Sequence, residues 1–483
     1  MMKKKLKKLS CLFTLILLAG CDKYLEETPD NRVDLNTPEK AAQLLTSAYS
    51  IASYSFTEWM SDNVAFTFGT TKRLEQNQAY SWSEVTSIEQ DTPATYWTYS
   101  YDAISHANEV LAVIDDLPGE KRLKDAIKGE AYLTRAYAHF MLVNLFAKHY
   151  DPQTASQDPG IPYVEEPETQ FVKTYTRDTI EDVYDKIEDD LEDGLDLVDG
   201  SFYANSGKYH FTRNAALAFA SRFYLFKGDA DNCIKYSSEM LGADPLGFVK
   251  DISGLLEQSA NPDDFVRRYT SPNDPSNLLM MRNITNTNVS VGYWPDDQLL
   301  SQIYDSNPFD ESDIRTSNEY PIYVLGTNGR SLAKFEFLFE RSSLTSNVGL
   351  NYTIITALKG EEVLLNRAES YVYKNQLNLA LADLQLYVSK RYENNPTVTL
   401  PLLQTHYGAN NNQLNTLSFI LDERRKEFMH EGLRWFDIKR YGIQVRHRLE
   451  DGSTITLEQD DLRKVLQIPQ AAIDVGGLEP NPR

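Results

Sequence analysis

The chain has 483 residues, of which 41% are hydrophobic and 24% are charged, so it is long enough to bury a large core or several packed units. Asp and Glu outnumber Lys and Arg by 70 to 48, which gives a formal charge of −22. A surface this acidic repels nucleic acid and anionic lipid headgroups, and we therefore expect neither as a partner.

The N-terminal residues have the pattern of a secretion signal. A basic run at 3–8 precedes a short apolar run and the sequence Leu18-Ala19-Gly20-Cys21. The apolar run is too short to span a bilayer, and the cysteine directly after small residues resembles a bacterial lipobox. We expect 1–20 to be a lipoprotein signal peptide and Cys21 to be lipidated, the alternative being an ordinary signal peptide with a chance cysteine. Removal of the five lysines would change the charge from −22 to −27.

Residues 21–36 are expected to form a lipid-anchored tether, because they contain Pro29 and little apolar periodicity. Helical periodicity then dominates 37–245. Thr37-Pro38 is a typical helix start, and Cys233 falls on an apolar helical face where we expect it to be buried. Helices are predicted at 96–114, 121–150, 179–198, 213–227 and 231–241.

Paired helices joined by tight turns recur later in the chain, at 361–374 and 379–391. Small residues lie where the paired helices would approach each other, which is typical of tetratricopeptide-like repeats, although the spacing is irregular. Between the two helical regions, 246–352 is rich in Pro, Gly, Asn, Asp and Ser around short apolar runs. It is predicted to be an irregular ligand-binding insertion, because binding residues often lie on long irregular segments of a rigid scaffold. Residues 353–483 are expected to form the C-terminal helical hairpins.

A long motif near the C-terminus points to a family. Residues 423–442, ERRKEFMHEGLRWFDIKRYG, closely resemble the C-terminal signature of the SusD/RagB family of outer-membrane lipoproteins of the Bacteroidetes. The likeness extends to residues 21–29 at the family's start, to 132–146 in its long aromatic helix, and to 468–470 and 479–482 at its ending. The resemblance implies a mainly α fold, a right-handed bundle of four tetratricopeptide-like hairpins that carries a large irregular subdomain.

Within the signature, apolar and charged residues alternate in what we predict to be one helix. Its charges of both signs lie three or four residues apart, as in Arg424, Glu427, Glu431, Arg434 and Asp437. We interpret them as a partly buried ion network that fixes the last helix to the bundle, rather than as a ligand site.

The sequence contains no catalytic motif that we recognise. His430-Glu431 is half of a zinc protease motif, but Arg434 occupies the position of the second histidine. Nucleophile-elbow, phosphate-loop and Cys-x-x-Cys motifs are missing, and the seven histidines lack metal-ligand spacing. We therefore expect no enzyme activity, no cofactor and no metal.

A protein that binds a ligand without catalysing a reaction needs aromatic rings and hydrogen-bonding groups, which we expect in loops. Trp97 and Trp435 fall on apolar helical faces and are predicted to be core. The remaining tryptophans lie in loop-like segments, and the alternative is that these loops bury their own tryptophans. The candidate ligand-binding residues are Trp59, Asp62, Asn63, Arg73, Trp82, Tyr293, Trp294 and Asp296.

The family resemblance implies a lipoprotein that captures nutrients at the outer membrane, facing the cell exterior and anchored only by lipid. Its partner would be a TonB-dependent, SusC-like transporter, and its ligand an oligosaccharide, since stacking aromatics favour sugar. Peptide capture by the same architecture is the nearest alternative, because an acidic surface suits basic peptides. A helical-repeat scaffold for outer-membrane assembly is a third reading, although a scaffold has no need of a long insertion.

Overall fold

Helices account for about half of the computed structural model, which describes residues 35–168, 173–203, 206–287 and 292–483. The expected signal peptide, Cys21 and all but the last two residues of the expected tether lie outside these ranges. No helix in the described part of the chain is long and apolar enough to cross a membrane. Residues 37–483 make up one structural unit.

The N-terminal helices match the predicted pattern. Thr37 caps the first of them, since its side chain accepts a hydrogen bond from the Lys40 backbone N–H and Pro38 follows in the first turn. The helices are α1 (Pro38–Leu45), α2 (Phe56–Met60), α3 (Leu74–Tyr80), α4 (Pro93–Val113), α5 (Lys121–Phe146), α6 (Ile180–Leu197), α7 (Arg213–Lys227) and α8 (Ala230–Leu241).

Helices α5 and α6 pack closely against each other. A Cβ atom at Gly194 would lie 2.6 Å from Cγ of Leu133, so only glycine allows this approach. Arg135 and Asp190 join the same two helices through a buried ion pair of 2.6 Å. Helix α7 is buried from Ala215 to Phe226, as expected of a helix that is apolar on all sides. Cys233 is fully buried as predicted, and burial raises the pKa of its thiol to about 11.

Residues 246–352 contain regular elements that their composition did not predict. Three helices, α9 (Ile252–Gln258), α10 (Pro262–Tyr269) and α11 (Asp297–Tyr304), accompany short strands. These pack around a hydrophobic cluster of their own, which includes Phe265, Tyr304 and, from the signature, Met429.

The strands form small antiparallel sheets. The strands are β1 (Ala65–Phe66), β2 (Asn277–Ile284), β3 (Tyr293–Trp294), β4 (Ile322–Leu325), β5 (Gly329–Leu332), β6 (Glu336–Arg341) and β7 (Gly349–Lys359). Strands β2, β7 and β6 form one sheet in that order, β1 pairs with β3, and β4 pairs with β5. Within the described part of the chain, β6 is therefore an edge strand.

The C-terminal region returns to paired helices, with one further hairpin of strands. Its first helix begins directly after β7 and is buried from Gly360 to Ser370. The elements are α12 (Gly360–Tyr373), α13 (Leu377–Val388), α14 (Leu400–Tyr407), α15 (Asn412–Glu427), α16 (Arg434–Arg440), β8 (Val445–Arg448), β9 (Thr454–Leu457) and α17 (Gln470–Asp474).

The signature is two helices with a sharp turn between them, so the prediction of a single helix is wrong. His430 and Gly432 both have positive φ angles, of 72° and 75°, which no α-helix can contain. A Cβ atom at Gly432 would lie 2.3 Å from the Thr57 hydroxyl oxygen, so the turn packs tightly on helix α2. We call residues 428–433 the signature turn.

The predicted ion network is present and is more deeply buried than the sequence indicated. Arg424 pairs with Asp437 at 3.0 Å, and Glu427 pairs with Arg391 at 2.7 Å. All four side chains are almost fully buried. These pairs join α15 to α16 and to the segment that follows α13, as expected of a structural network.

Candidate ligand-binding cleft

A small cavity lies where helix α2, the signature turn and the strands of the 246–352 region meet. Its volume is about 70 Å³. We call it the buried cavity, and its polar and aromatic lining includes Glu58, Trp59, Asn283, Tyr293, Trp294, Lys334, Phe335, Lys359, His430 and Glu431.

A wider cleft of about 600 Å³ opens beside the buried cavity. The two share Thr287, Trp294 and Phe335, so they are neighbours across a common wall. We call the second one the aromatic cleft, and its lining includes Asp263, Arg267, Tyr323, Val324, Phe335, Glu336 and Phe337.

Glu58 links the buried cavity to the signature turn. Its carboxylate accepts hydrogen bonds from the backbone N–H groups of His430 (2.7 Å) and Gly432 (3.0 Å) and from the Asn63 amide (3.1 Å). Burial nevertheless raises the pKa of Glu58 to about 7, because desolvation outweighs these stabilising hydrogen bonds. This wall of the cavity therefore carries a carboxyl group that titrates near neutral pH.

Two lysines share one carboxylate on another wall of the cavity. The ammonium groups of Lys359 and Lys334 lie 2.6 and 3.1 Å from the same Glu431 oxygen. Burial lowers the pKa of Lys334. Burial also acts to lower the pKa of Lys359, but Glu431 and the neighbouring carboxylates outweigh it, so the pKa of Lys359 is raised. The group consists of two cations and one anion.

The aromatic cleft exposes rings that soluble proteins usually bury. Tyr323 on β4 and Phe337 on β6 are each 39% exposed. The rings of Phe335 and Phe337 are 6.2 Å apart and tilted by 57°. Exposed apolar surface that is grouped in a cleft marks a binding site more often than scattered exposed residues do.

Three of the predicted ligand residues come together. Trp59 lies in helix α2, and Tyr293 and Trp294 form strand β3, where they pair with Phe66 and Ala65 of β1. All three line the buried cavity, and Trp294 also lines the aromatic cleft. They are more buried than the loop assignment suggested, since Trp294 is only 8% exposed.

Asp62 and Asn63 support the site from outside. Asp62 pairs with Arg434 at 2.9 Å and lies 3.4 Å from Arg425. Asn63 is fully buried, where it donates to Glu58 and accepts from Arg425. Neither residue lines the buried cavity or the aromatic cleft.

The other polar candidates also have local partners. The Asp296 side chain accepts a hydrogen bond from the Leu299 backbone N–H and so caps helix α11. Arg73 pairs with Glu75 at 2.6 Å. The prediction that Asp296 and Arg73 bind the ligand stays untested, and their local hydrogen bond and ion pair do not favour it.

Trp82 lies in a different place from Trp294. It is 4% exposed, stacks on His447 at 4.4 Å, and donates its indole N–H to the Met60 carbonyl. It lines a separate cleft of about 810 Å³ beside the C-terminal segment that contains Arg463. The structure therefore does not bring Trp82 and Trp294 into one site.

Sequence reasoning missed the exposed rings of the aromatic cleft. The run Phe335, Phe337, Phe339 has the two-residue period of a strand face, which would have predicted an aromatic surface. It also missed Lys334 and Lys359, for which no local pattern exists. Their positions depend on pairing between β7 and its neighbours.

Comparisons with known proteins agree with this architecture. A family model described as "Starch-binding associating with outer membrane" matches residues 23–225, and the SusD family model matches residues 361–475. Together the matches span more than half of the chain. A search of curated proteins found no significant match.

Solved structures share the fold at low sequence identity. A SusD superfamily protein from Bacteroides vulgatus has a TM-score of 0.70 and 18% identity, over 92% of this chain and 99% of its own. A SusD superfamily protein from Bacteroides thetaiotaomicron has a TM-score of 0.66 and 21% identity, over 92% and 100%. A laminarin-binding SusD-like protein has a TM-score of 0.62 and 18% identity, over 92% and 99%.

Paired helices around a large core, with a cleft-bearing region inserted between them, define a tetratricopeptide-like helical protein, as the sequence predicted. This chain belongs to the SusD/RagB family. The family is associated with the outer membrane.

Proposed function

We propose that the protein is a cell-surface lipoprotein that binds a nutrient oligosaccharide in the aromatic cleft and delivers it to a TonB-dependent, SusC-like transporter. Family membership supports this role, and a laminarin-binding SusD-like protein has the same fold. In this proposal Cys21 carries the lipid anchor, and the protein faces the cell exterior.

The observation that carries the proposal is the pair of exposed rings at Tyr323 and Phe337, with the partly buried Phe335 and the buried Trp294 lining the same cleft. Flat apolar rings contact the C–H faces of a sugar, while polar groups at the edges of the cleft bind its hydroxyls. Asp263, Arg267 and Glu336 provide those groups here. Tyr323, Phe337 and Trp294 lie on strands, which hold their rings in fixed positions.

The test begins with a glycan array to find the ligand, followed by calorimetry with the best hit. Phe337→Ala should weaken binding by about tenfold or more, as expected when a central aromatic contact is removed. Phe339→Ala is the matched control, because Phe339 lies on the same strand and is 49% exposed but does not line the cleft. Equal affinity of Phe337→Ala and the wild type would refute this location.

Peptide capture is the second candidate, and one feature favours it. Strand β6 is the edge of its sheet and most of its residues are exposed, so an extended peptide could pair with it beside the aromatic cleft. A peptide array run alongside the glycan array separates the two. Binding of peptides but not glycans would replace the first proposal with the second.

A further inference from the structure

The buried cavity contains several polar atoms without partners. Asn283 Oδ1, Trp294 Nε1 and His430 Nδ1 make no hydrogen bond among the described residues, and each of these side chains belongs to a residue that is more than 90% buried. Buried polar atoms are almost always paired in native proteins. All three residues line the buried cavity, where a ligand group that reaches these atoms can supply the missing partners.

Two of these three atoms, Trp294 Nε1 and His430 Nδ1, are hydrogen-bond donors. The Nε2 atom of His430 accepts a hydrogen bond from the Leu332 backbone N–H at 3.1 Å, so a neutral His430 carries its proton on Nδ1. Burial lowers the pKa of His430 well below its usual value, which keeps the ring neutral. The Trp294 indole can only donate. The two ring centroids lie 5.0 Å apart.

The charged groups add further donors. Lys334 and Lys359 share one oxygen of Glu431, and the Glu58 carboxylate already accepts three N–H groups. Glu427 and Glu361 both pair with Arg391, and neither residue lines the cavity. Among the described lining residues, the buried polar atoms without partners are two donors and one acceptor, which together with the two lysines favours an anionic occupant.

The size of the cavity limits what can enter. Its volume of about 70 Å³ is far below the roughly 300–1,000 Å³ of pockets that enclose a whole small molecule. A carboxylate fits this space, but a sugar ring does not. The ring would have to lie in the aromatic cleft, which shares Trp294 and Phe335 with the cavity.

We propose that the ligand is an oligosaccharide with an acidic sugar, whose carboxylate enters the buried cavity while its ring lies in the aromatic cleft. Trp294 and His430 donate to the carboxylate, and Lys334 and Lys359 balance its charge. This inference rests on the proposed function and narrows it to acidic glycans. The pair of lysines on one carboxylate contrasts with the chain as a whole, which carries a net charge of −22.

Calorimetry with matched pairs of probes tests the inference. The probes are oligogalacturonate, oligoglucuronate and oligomannuronate, each compared with its carboxyl-reduced, neutral counterpart. The wild type should bind at least one acidic form about tenfold more tightly than its neutral form, as a charge-assisted contact predicts.

Trp294→Phe removes the N–H but keeps a ring, so it should reduce this preference to about twofold or less. Lys334→Met is a second variant for the same measurement, with folding checked by circular dichroism. Phe339→Ala is the control and should keep the full preference. Retention of the preference in folded Trp294→Phe and Lys334→Met would overturn the assignment to the buried cavity.

The other outcomes are distinguishable. Equal binding of acidic and neutral forms, or array hits confined to neutral glycans, would overturn the carboxylate inference and leave the proposed function intact. Suppose that peptides with free C-terminal carboxylates bind, whereas their amides and all glycans do not. This result would overturn the proposal that the carboxylate belongs to an acidic sugar. Failure of every glycan on the array would refute the proposed function and this inference with it.

Discussion

Replacing Arg434 by alanine tests whether the signature is structural. The guanidinium of Arg434 donates to both carboxylate oxygens of Asp62, at 2.9 and 3.0 Å. Its side chain is 6% exposed and that of Asp62 is 20% exposed. Burial acts to raise the pKa of Asp62, but Arg425 and Arg434 outweigh it and hold that pKa well below its usual value. The pair joins helix α16 to the end of α2.

The structure sets the size of the effect. Removing one partner of a fully buried pair costs about 3–5 kcal/mol. Asp62 is partly exposed and keeps Arg425 at 3.4 Å, so we expect Arg434→Ala to lower the free energy of unfolding by about 2–3 kcal/mol. Ligand affinity of the folded protein should not change, because neither Arg434 nor Asp62 lines the aromatic cleft or the buried cavity.

Urea denaturation as a function of pH is the assay. A carboxyl group whose pKa is lowered by folding stabilises the protein above its unfolded pKa, and this stabilisation is lost as the pH falls below it. The difference between wild type and Arg434→Ala should therefore be full at pH 7 and shrink below about pH 4. Arg434→Lys keeps the charge without the two-point geometry and should recover only part of the loss.

Two results would refute this reasoning. An unchanged denaturation midpoint would mean that the pair contributes nothing to stability. Loss of ligand affinity with stability intact would make Arg434 a ligand residue and reverse the structural interpretation of the signature.

Three further predictions follow from the structure, and a fourth, at Cys21, follows from the sequence alone. Burial raises the pKa of Glu58 to about 7, so the free energy of unfolding should fall by roughly 3 kcal/mol as the pH rises from about 4.5 to 7 and the folded protein loses this proton. Glu58→Gln should flatten this part of the pH profile in urea denaturation. Gly432→Ala should destabilise by about 2 kcal/mol or more in the same assay, since it combines a positive φ with a 2.3 Å contact. Calorimetry should find the affinity for the cleft ligand unchanged in Trp82→Phe, because Trp82 lines a separate cleft; a tenfold loss would place the ligand there. Cys21→Ala should move the protein from the membrane to the soluble fraction on cell fractionation, and continued membrane retention would contradict a lipid anchor.

The helices were predictable because their signals are local. Thr37-Pro38 marks a helix start from adjacent residues, and the apolar spacing in 121–150 gave a helix that the structure ends at Phe146. The break in the signature was not predictable in this way. It results from the packing of Gly432 against Thr57 and from the N–H groups that bind Glu58, all of which involve distant residues.

The site was predictable only in part for the same reason. The sequence predicted Trp59, Tyr293 and Trp294 as ligand residues because they lie outside helical periodicity, and all three line the buried cavity. It could not assign Asp62 to an ion pair with Arg434, since the partners are 372 residues apart in the chain. Charged residues in a loop look alike in sequence whether they bind a ligand or a distant arginine.

The contact between Glu58 and the signature turn also constrains when the binding surface can form. The two hydrogen bonds from His430 and Gly432 to Glu58 close chain segments of 372 and 374 residues. A polypeptide that emerges from a translocation channel N-terminus first must deliver nearly its whole length before these bonds can close, and contacts of such long range form late in folding. Under the proposed function, the binding surface would form only after residue 432 has crossed, and truncation ahead of residue 430 would leave Glu58 of helix α2 without these two hydrogen bonds.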